Sequence, residues 1–238
     1  MKKKTIIIGL LIVSLFITGC EKKKEKEYVQ QRQQTSTEKE YVYTDIQGEE
    51  IVDELLLKVR MPIGSKDENI FYQKKKLLYN EIPNKDLLLL GLNSYLQKNP
   101  TATTMTVEEM KKEIYSIVPE EVKYNDKTVK ESDCLKLELK GINYNIVNNC
   151  QRSGYYERTI IAADDVDNTA IEIAEKIAYI EINGNEKILY SDIGGKEIKR
   201  VNVNDEIDLK NITGVTLVKY TFIKYQDNYY LYSSEKIG

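Results

Sequence analysis

Histidine and tryptophan are absent from this chain. Without histidine there is no Ser-His or Cys-His nucleophile pair and no imidazole ligand for a metal. Cysteine occurs three times, at Cys20, Cys134 and Cys150, which is too few for a four-thiolate zinc site. Arginine is scarce as well: Arg32, Arg60, Arg152, Arg158 and Arg200 are all there are. The formal charge is −3, so nothing resembles the basic face that a nucleic acid needs. The four prolines, Pro62, Pro83, Pro100 and Pro119, each stand beside a segment of helical period and mark where it starts or stops.

Long apolar runs are equally rare. The one example lies at the start, in MKKKTIIIGLLIVSLFITGC. Lys2, Lys3 and Lys4 form a basic leader, and Thr5 to Thr18 follow as an apolar stretch. That stretch is shorter than the roughly 20 residues a membrane-spanning helix requires. Small Gly19 then precedes Cys20. A basic leader, a short apolar core and a small residue before the cut are the marks of a removed export signal. Ile17-Thr18-Gly19-Cys20 resembles the lipobox of bacterial lipoproteins. The resemblance implies cleavage after Gly19 and a diacylglyceryl group on Cys20, the new N-terminus. Two acyl chains hold a protein stably on a bilayer where one does not. Losing Lys2, Lys3 and Lys4 takes the formal charge from −3 to −6.

The expected organisation is therefore a signal peptide over 1–19, a lipidated cysteine and disordered tether over 20–44, and an extracellular domain over 45–238. Glu21 to Glu40, EKKKEKEYVQQRQQTSTEKE, has almost no apolar content and reads as a solvated spacer. As a flexible coil it would hold the domain ~25–30 Å from the bilayer.

Within the domain the pattern changes once. Val52, Leu55, Leu56 and Val59 recur at helical spacing and predict a helix that ends at Pro62. Ile70 to Leu78 reads as a short strand. Asn84 opens a second helix, apolar on most sides through Leu87, Leu88, Leu90, Leu92, Tyr95 and Leu96. Gly91 in its middle costs about 1 kcal/mol against alanine and invites close packing by another element. Thr106-Val-Glu-Glu109 fits a capping box for a third helix, with Val107, Met110, Ile114 and Ile117 on its apolar face.

After Pro119 the period becomes that of strands. Leu135, Leu137 and Leu139 alternate with charges, and Tyr144 to Val147 returns alongside. That hairpin would bring Cys134 beside Cys150. In an exported protein a disulfide is the preferred reading, two buried thiols the alternative. Tyr155–Ala163 and Thr169–Ile182 read as paired strands, the second because of its β-branched residues. Val215–Tyr225 and Tyr229–Lys236 form the clearest hairpin. The predicted fold is α+β, with three N-terminal helices packed on a C-terminal antiparallel β-sheet.

This layout also resembles lipoproteins and secreted proteins of Gram-positive-type bacteria that carry no assigned function. The points of likeness are the lipobox, the Lys/Glu/Gln tether, the TVEEM helix start, the YYERTI strand and the tyrosine-rich final hairpin. They imply no activity.

Two clusters invite chemistry. Asp164, Asp165, Asp167 and Asn168 suggest a calcium loop, but Ala170 stands where an EF-hand has glycine and Lys176 where it has glutamate. A solvated turn is the better reading. The loop Asn148–Arg158, NNCQRSGYYER, gathers Arg152, Tyr155, Tyr156 and Arg158 into a candidate binding patch. The plain alternative is a surface loop running into a strand, one tyrosine in and one out. The expected protein is thus a non-enzymatic lipoprotein on the extracellular face of the cell membrane, held by lipid on Cys20. It would engage an envelope protein or other surface partner, with no cofactor, metal or nucleic acid. Ligand capture and a hydrolase built from carboxylates alone are the alternatives.

Overall fold

The structure, a computed structural model, describes residues 41–237. Cys20 and the tether up to residue 40 lie outside the described residues. The chain enters through strand β1 (Tyr43–Asp45) and helix α1 (Glu50–Leu57). A short helix α2 (Ile70–Gln73) and strand β2 (Lys76–Leu78) follow. Helix α3 (Asn84–Lys98), strand β3 (Thr104–Thr106) and helix α4 (Val107–Ile117) complete the first half. Then come β4 (Val129–Lys130), β5 (Leu135–Lys140), β6 (Asn143–Asn148), β7 (Gly154–Val166) and β8 (Ala170–Asn183). The last strands are β9 (Glu186–Tyr190), β10 (Glu197–Asn202), β11 (Thr216–Tyr225) and β12 (Asn228–Lys236).

Three N-terminal helices packed on one C-terminal sheet is not the architecture. The described residues are 41% strand and 22% helical, with four helices and two antiparallel sheets. The eight-stranded sheet runs β1-β7-β8-β11-β12-β2, with β9 and β10 added beside β8. The four-stranded sheet runs β3-β6-β5-β4. The strands β1, β2 and β3, each three residues long, interleave with the helices in sequence. Such segments make one or two alternations and take their conformation from the strand they join, so periodicity does not reveal β1 and β3 and does not bound β2. The fourth helix, α2, takes the first part of the stretch read as a short strand, where Ile70, Phe71 and Tyr72 are all buried in the main core; the strand itself, β2, is confined to the end of that stretch, Lys76–Leu78. The hairpin β5–β6 does not extend the large sheet. It pairs with β3 and β4 instead.

The other periodic segments form largely as read, except that α1 stops at Leu57, short of Pro62, with Val59 in the turn beyond it. Thr106 Oγ1 accepts the Glu109 amide at 3.1 Å, and the Glu109 carboxylate accepts the Thr106 amide at 2.6 Å. This reciprocal cap starts α4. Gly91 is the contact point between α3 and α4: a Cβ there would lie 2.7 Å from Met110 Sδ and 2.9 Å from Ile114 Cγ1.

Strand β8 organises the large sheet. It pairs with β7 along one edge, and its other edge is divided between β11, from Ala170 to Ile177, and β9, from Tyr179 to Asn183. Alternate residues of β8 therefore serve two cores. Ile171, Ile173 and Ile177 join the main core with all four helices and the small sheet. Ala178 and Ile180 face the other way, into a second cluster with Leu189, Leu209 and Val215.

Candidate functional site

The centre of β8 carries adjacent opposite charges. Glu175 and Lys176 are 0% and 4% exposed. Because side chains alternate along a strand, they point to opposite faces of the sheet. Lys176 donates to the carbonyls of Lys210 and Ile212, at 2.9 and 3.2 Å, pinning the 3-10 turn that closes the second cluster. Glu175 lies under the helices. Arg60, just beyond α1, grips both of its oxygens at 2.6 and 2.8 Å. Arg158 and the Tyr220 hydroxyl each donate to Oε1 at 3.0 Å. Burial is the largest influence on the Glu175 carboxyl and pushes its pKa up. The two arginines and Tyr220 outweigh it, so the net direction is down. Burial likewise lowers Arg60, but its charge contact and hydrogen bonds with Glu175 prevail and hold it above the ordinary range.

Arg158 links this network to Tyr156. The guanidinium carbons of Arg152 and Arg158 stand 5.2 and 5.1 Å from the Tyr156 ring centre. Tyr72 and Tyr179 meet the same ring edge-on. The Tyr156 hydroxyl donates to Asp192 Oδ1 at 2.8 Å, Asn69 donates to Asp192 Oδ2, and Arg152 pairs with Glu68. Burial raises the pKa of the Glu68 carboxyl, against the pull of Arg152. Three arginines thus face three carboxylates in one balanced cluster.

Of the residues singled out by sequence, Arg152, Tyr156 and Arg158 come together here. Tyr155 lies on the opposite face, packed on the second cluster. Cys134 and Cys150 are joined by a disulfide across the open end of the β5–β6 hairpin, with their Cα atoms 4.8 Å apart. Gly64, at φ +87°, rests on that bond, and a Cβ there would strike Cys150 Sγ at 2.3 Å. Cys20 is outside the described residues. In the acidic turn, Asp167 and Asn168 take left-handed backbone, Asp165 accepts the Asn168 amide at 2.6 Å, and Asp167 accepts the Val42 amide at 2.8 Å.

Another carboxylate group surrounds Lys85. Its ammonium pairs with Asp67 and lies 3.2 Å from Glu131 Oε1 and 3.9 Å from Asp86 Oδ1. Asp86 is 1% exposed, and that Oδ1 makes no hydrogen bond. Burial pushes its pKa up to about 6. Among the described residues no group of His, Cys, Asp or Glu is arranged to hold a metal ion.

Among the described residues, open hollows mark the surface away from the Glu175 and Lys85 clusters. One, of about 340 Å³, lies beside Tyr155, Glu157, Lys187 and Glu206. Another, of about 400 Å³, lies between the end of α1, the outer face of α4 and the start of β12. Lys58, Lys111 and Lys112 line it, together with Tyr115 and Tyr230. Glu108, Lys111, Lys112 and Tyr115 recur at helical spacing, so a polar stripe on α4 was readable in the sequence. That Lys58 and Tyr230 complete the hollow was not, because only the packing of α1 and β12 brings them there. No family model, curated protein or solved structure matches the chain.

Proposed function

We propose that this chain is a lipoprotein carrying its lipid on Cys20, held on the extracellular face of the cell membrane, where it serves as a non-enzymatic binding or interaction module. The observation that carries this reading is the opening stretch, with three lysines, a short apolar core and Ile17-Thr18-Gly19-Cys20. The Cys134–Cys150 disulfide supports it, since such bonds persist in oxidising surroundings outside the cytosol. Three of the buried acids are committed within the fold. Glu175 is spent on Arg60 and Arg158, Glu113 on Ser94 and Lys98, and Glu131 on Lys85. A carboxylate hydrolase instead needs two acids facing a substrate across a cleft, roughly 5–10 Å apart.

The test is crosslinking on intact cells, followed by capture of the anchored protein. A defined surface partner, recovered with the wild type and lost in a Cys20→Ser variant, is the expected result. A protein recovered alone under every crosslinker contradicts the interaction role.

A further inference from the structure

Most half-buried basic groups of this domain have a common habit. Arg60, Arg152, Arg158, Lys85 and Lys219 each hold a carboxylate. Lys58 does not. Among the described residues its ammonium makes one hydrogen bond, to the Tyr229 carbonyl at 2.7 Å. An ammonium has three donors, so that acceptor leaves two of them unused. Glu54 acts on it only at longer range, and Lys98, itself held by Glu113, opposes its charge. Burial, the largest influence, pushes Lys58 down to about 8. The hollow beside it adds Lys111 and Lys112, both exposed and without ion-pair partners among the described residues. Glu108 and Glu120 are the acids of the lining, so the cations are in excess. Tyr115 and Tyr230 supply flat apolar faces to flank a bound group. The volume of about 400 Å³ lies within the range of small-ligand sites.

We propose that this hollow binds the anionic group, phosphate or carboxylate, of a small ligand, with Lys58 at its floor and Lys111 and Lys112 at its rim. The anion supplies the counter-charge that Arg60, Arg152, Arg158, Lys85 and Lys219 find within the fold and Lys58 does not. The proposal stands apart from lipidation: either can fail while the other holds.

The experiment is competitive acetylation of the mature protein in detergent, followed lysine by lysine by mass spectrometry across pH. It is run with inorganic phosphate, with citrate, and with chloride at matched ionic strength. A bound anion favours the charged amine, so the Lys58 midpoint should rise by about one pH unit. That equals a tenfold preference of the anion for the charged form. A rise with phosphate alone assigns a phosphorylated ligand, and a rise with citrate alone a carboxylated one. A rise with both assigns a site for either group. A midpoint that chloride moves as far as the other anions do, or that none moves, overturns the proposal. Because Lys58→Met could disturb packing, the second variant is Lys111→Gln with Lys112→Gln, at exposed positions. It should fold normally and weaken the phosphate or citrate effect at least tenfold. An undiminished effect overturns the assignment of the rim.

Discussion

Replacing Glu175 by glutamine tests the organisation of the large sheet at its centre. The substitution preserves shape and removes one charge. Four hydrogen bonds end on the Glu175 carboxylate, from Arg60 twice, from Arg158 and from Tyr220. Glutamine cannot accept both arms of the Arg60 fork, and its amide group would set donors against donors. Breaking a buried pair from one side costs 3–5 kcal/mol, roughly, because the partner charge stays behind. Here the arginine side chains retain 19% and 21% exposure and can turn partly to water, which places the loss near the lower end, about 3 kcal/mol. Against a total stability of roughly 5–15 kcal/mol this is large. Urea unfolding followed by far-ultraviolet circular dichroism should show a lower midpoint with an unchanged slope. The pH dependence has a definite sign. The folded Glu175 carboxyl titrates below its ordinary 4.5, so its stabilisation is present above that value and is lost as pH falls through the lower, folded one. The gap between wild type and variant should therefore narrow in acid. A loss under 1 kcal/mol at pH 7, comparable to that of an Arg200→Gln control at an exposed pair, would refute the reasoning.

Three further outcomes follow from the same geometry. The buried Asp86 carboxyl titrates at about 6, above its ordinary 3.8, so its ionisation destabilises the fold as pH rises between those values. Asp86→Asn should gain about 1–3 kcal/mol at pH 7 and nothing below pH ~4, and an acid-independent gain would contradict this account. Replacing Cys134 and Cys150 together by serine opens a loop of 16-residue separation and should cost ~3 kcal/mol in thermal or urea unfolding, with reducing agent no longer affecting the variant. Gly91→Ala gains about 1 kcal/mol in helix propensity. It also drives a Cβ into Met110 and Ile114, so a net loss of roughly 1–2 kcal/mol is expected, and a net gain would show that α3 and α4 part easily.

What could be read in the sequence was what repeats. The apolar periods of α1, α3 and α4, the cap at Thr106, the long strands β7, β8, β11 and β12 and the hairpin that joins Cys134 to Cys150 all rest on local patterns. What escaped was set by distant partners. Strand β1 exists because β7 offers it an edge, and the second sheet exists because β3 and β4 flank a hairpin whose own pattern is silent about its neighbours. In the candidate patch, Arg152, Tyr156 and Arg158 were legible as a group, and the period of two along β7 separates Tyr155 from them. Their commitments to Glu68, Asp192 and Glu175 could not be seen, since Arg158 and Glu175 lie on different strands and Arg60 is 115 residues from Glu175. The adjacent charges Glu175 and Lys176 inside an apolar strand were the one local sign of that network.

The address on Cys20 is the claim on which the rest of the functional account depends, and denaturing mass spectrometry of the protein extracted from its own membranes tests it most directly. The account predicts a chain that begins at Cys20, carries a diacylglyceryl group and lacks the two hydrogens of a reduced Cys134–Cys150 pair. A chain that retains Met1–Gly19 without lipid would contradict it.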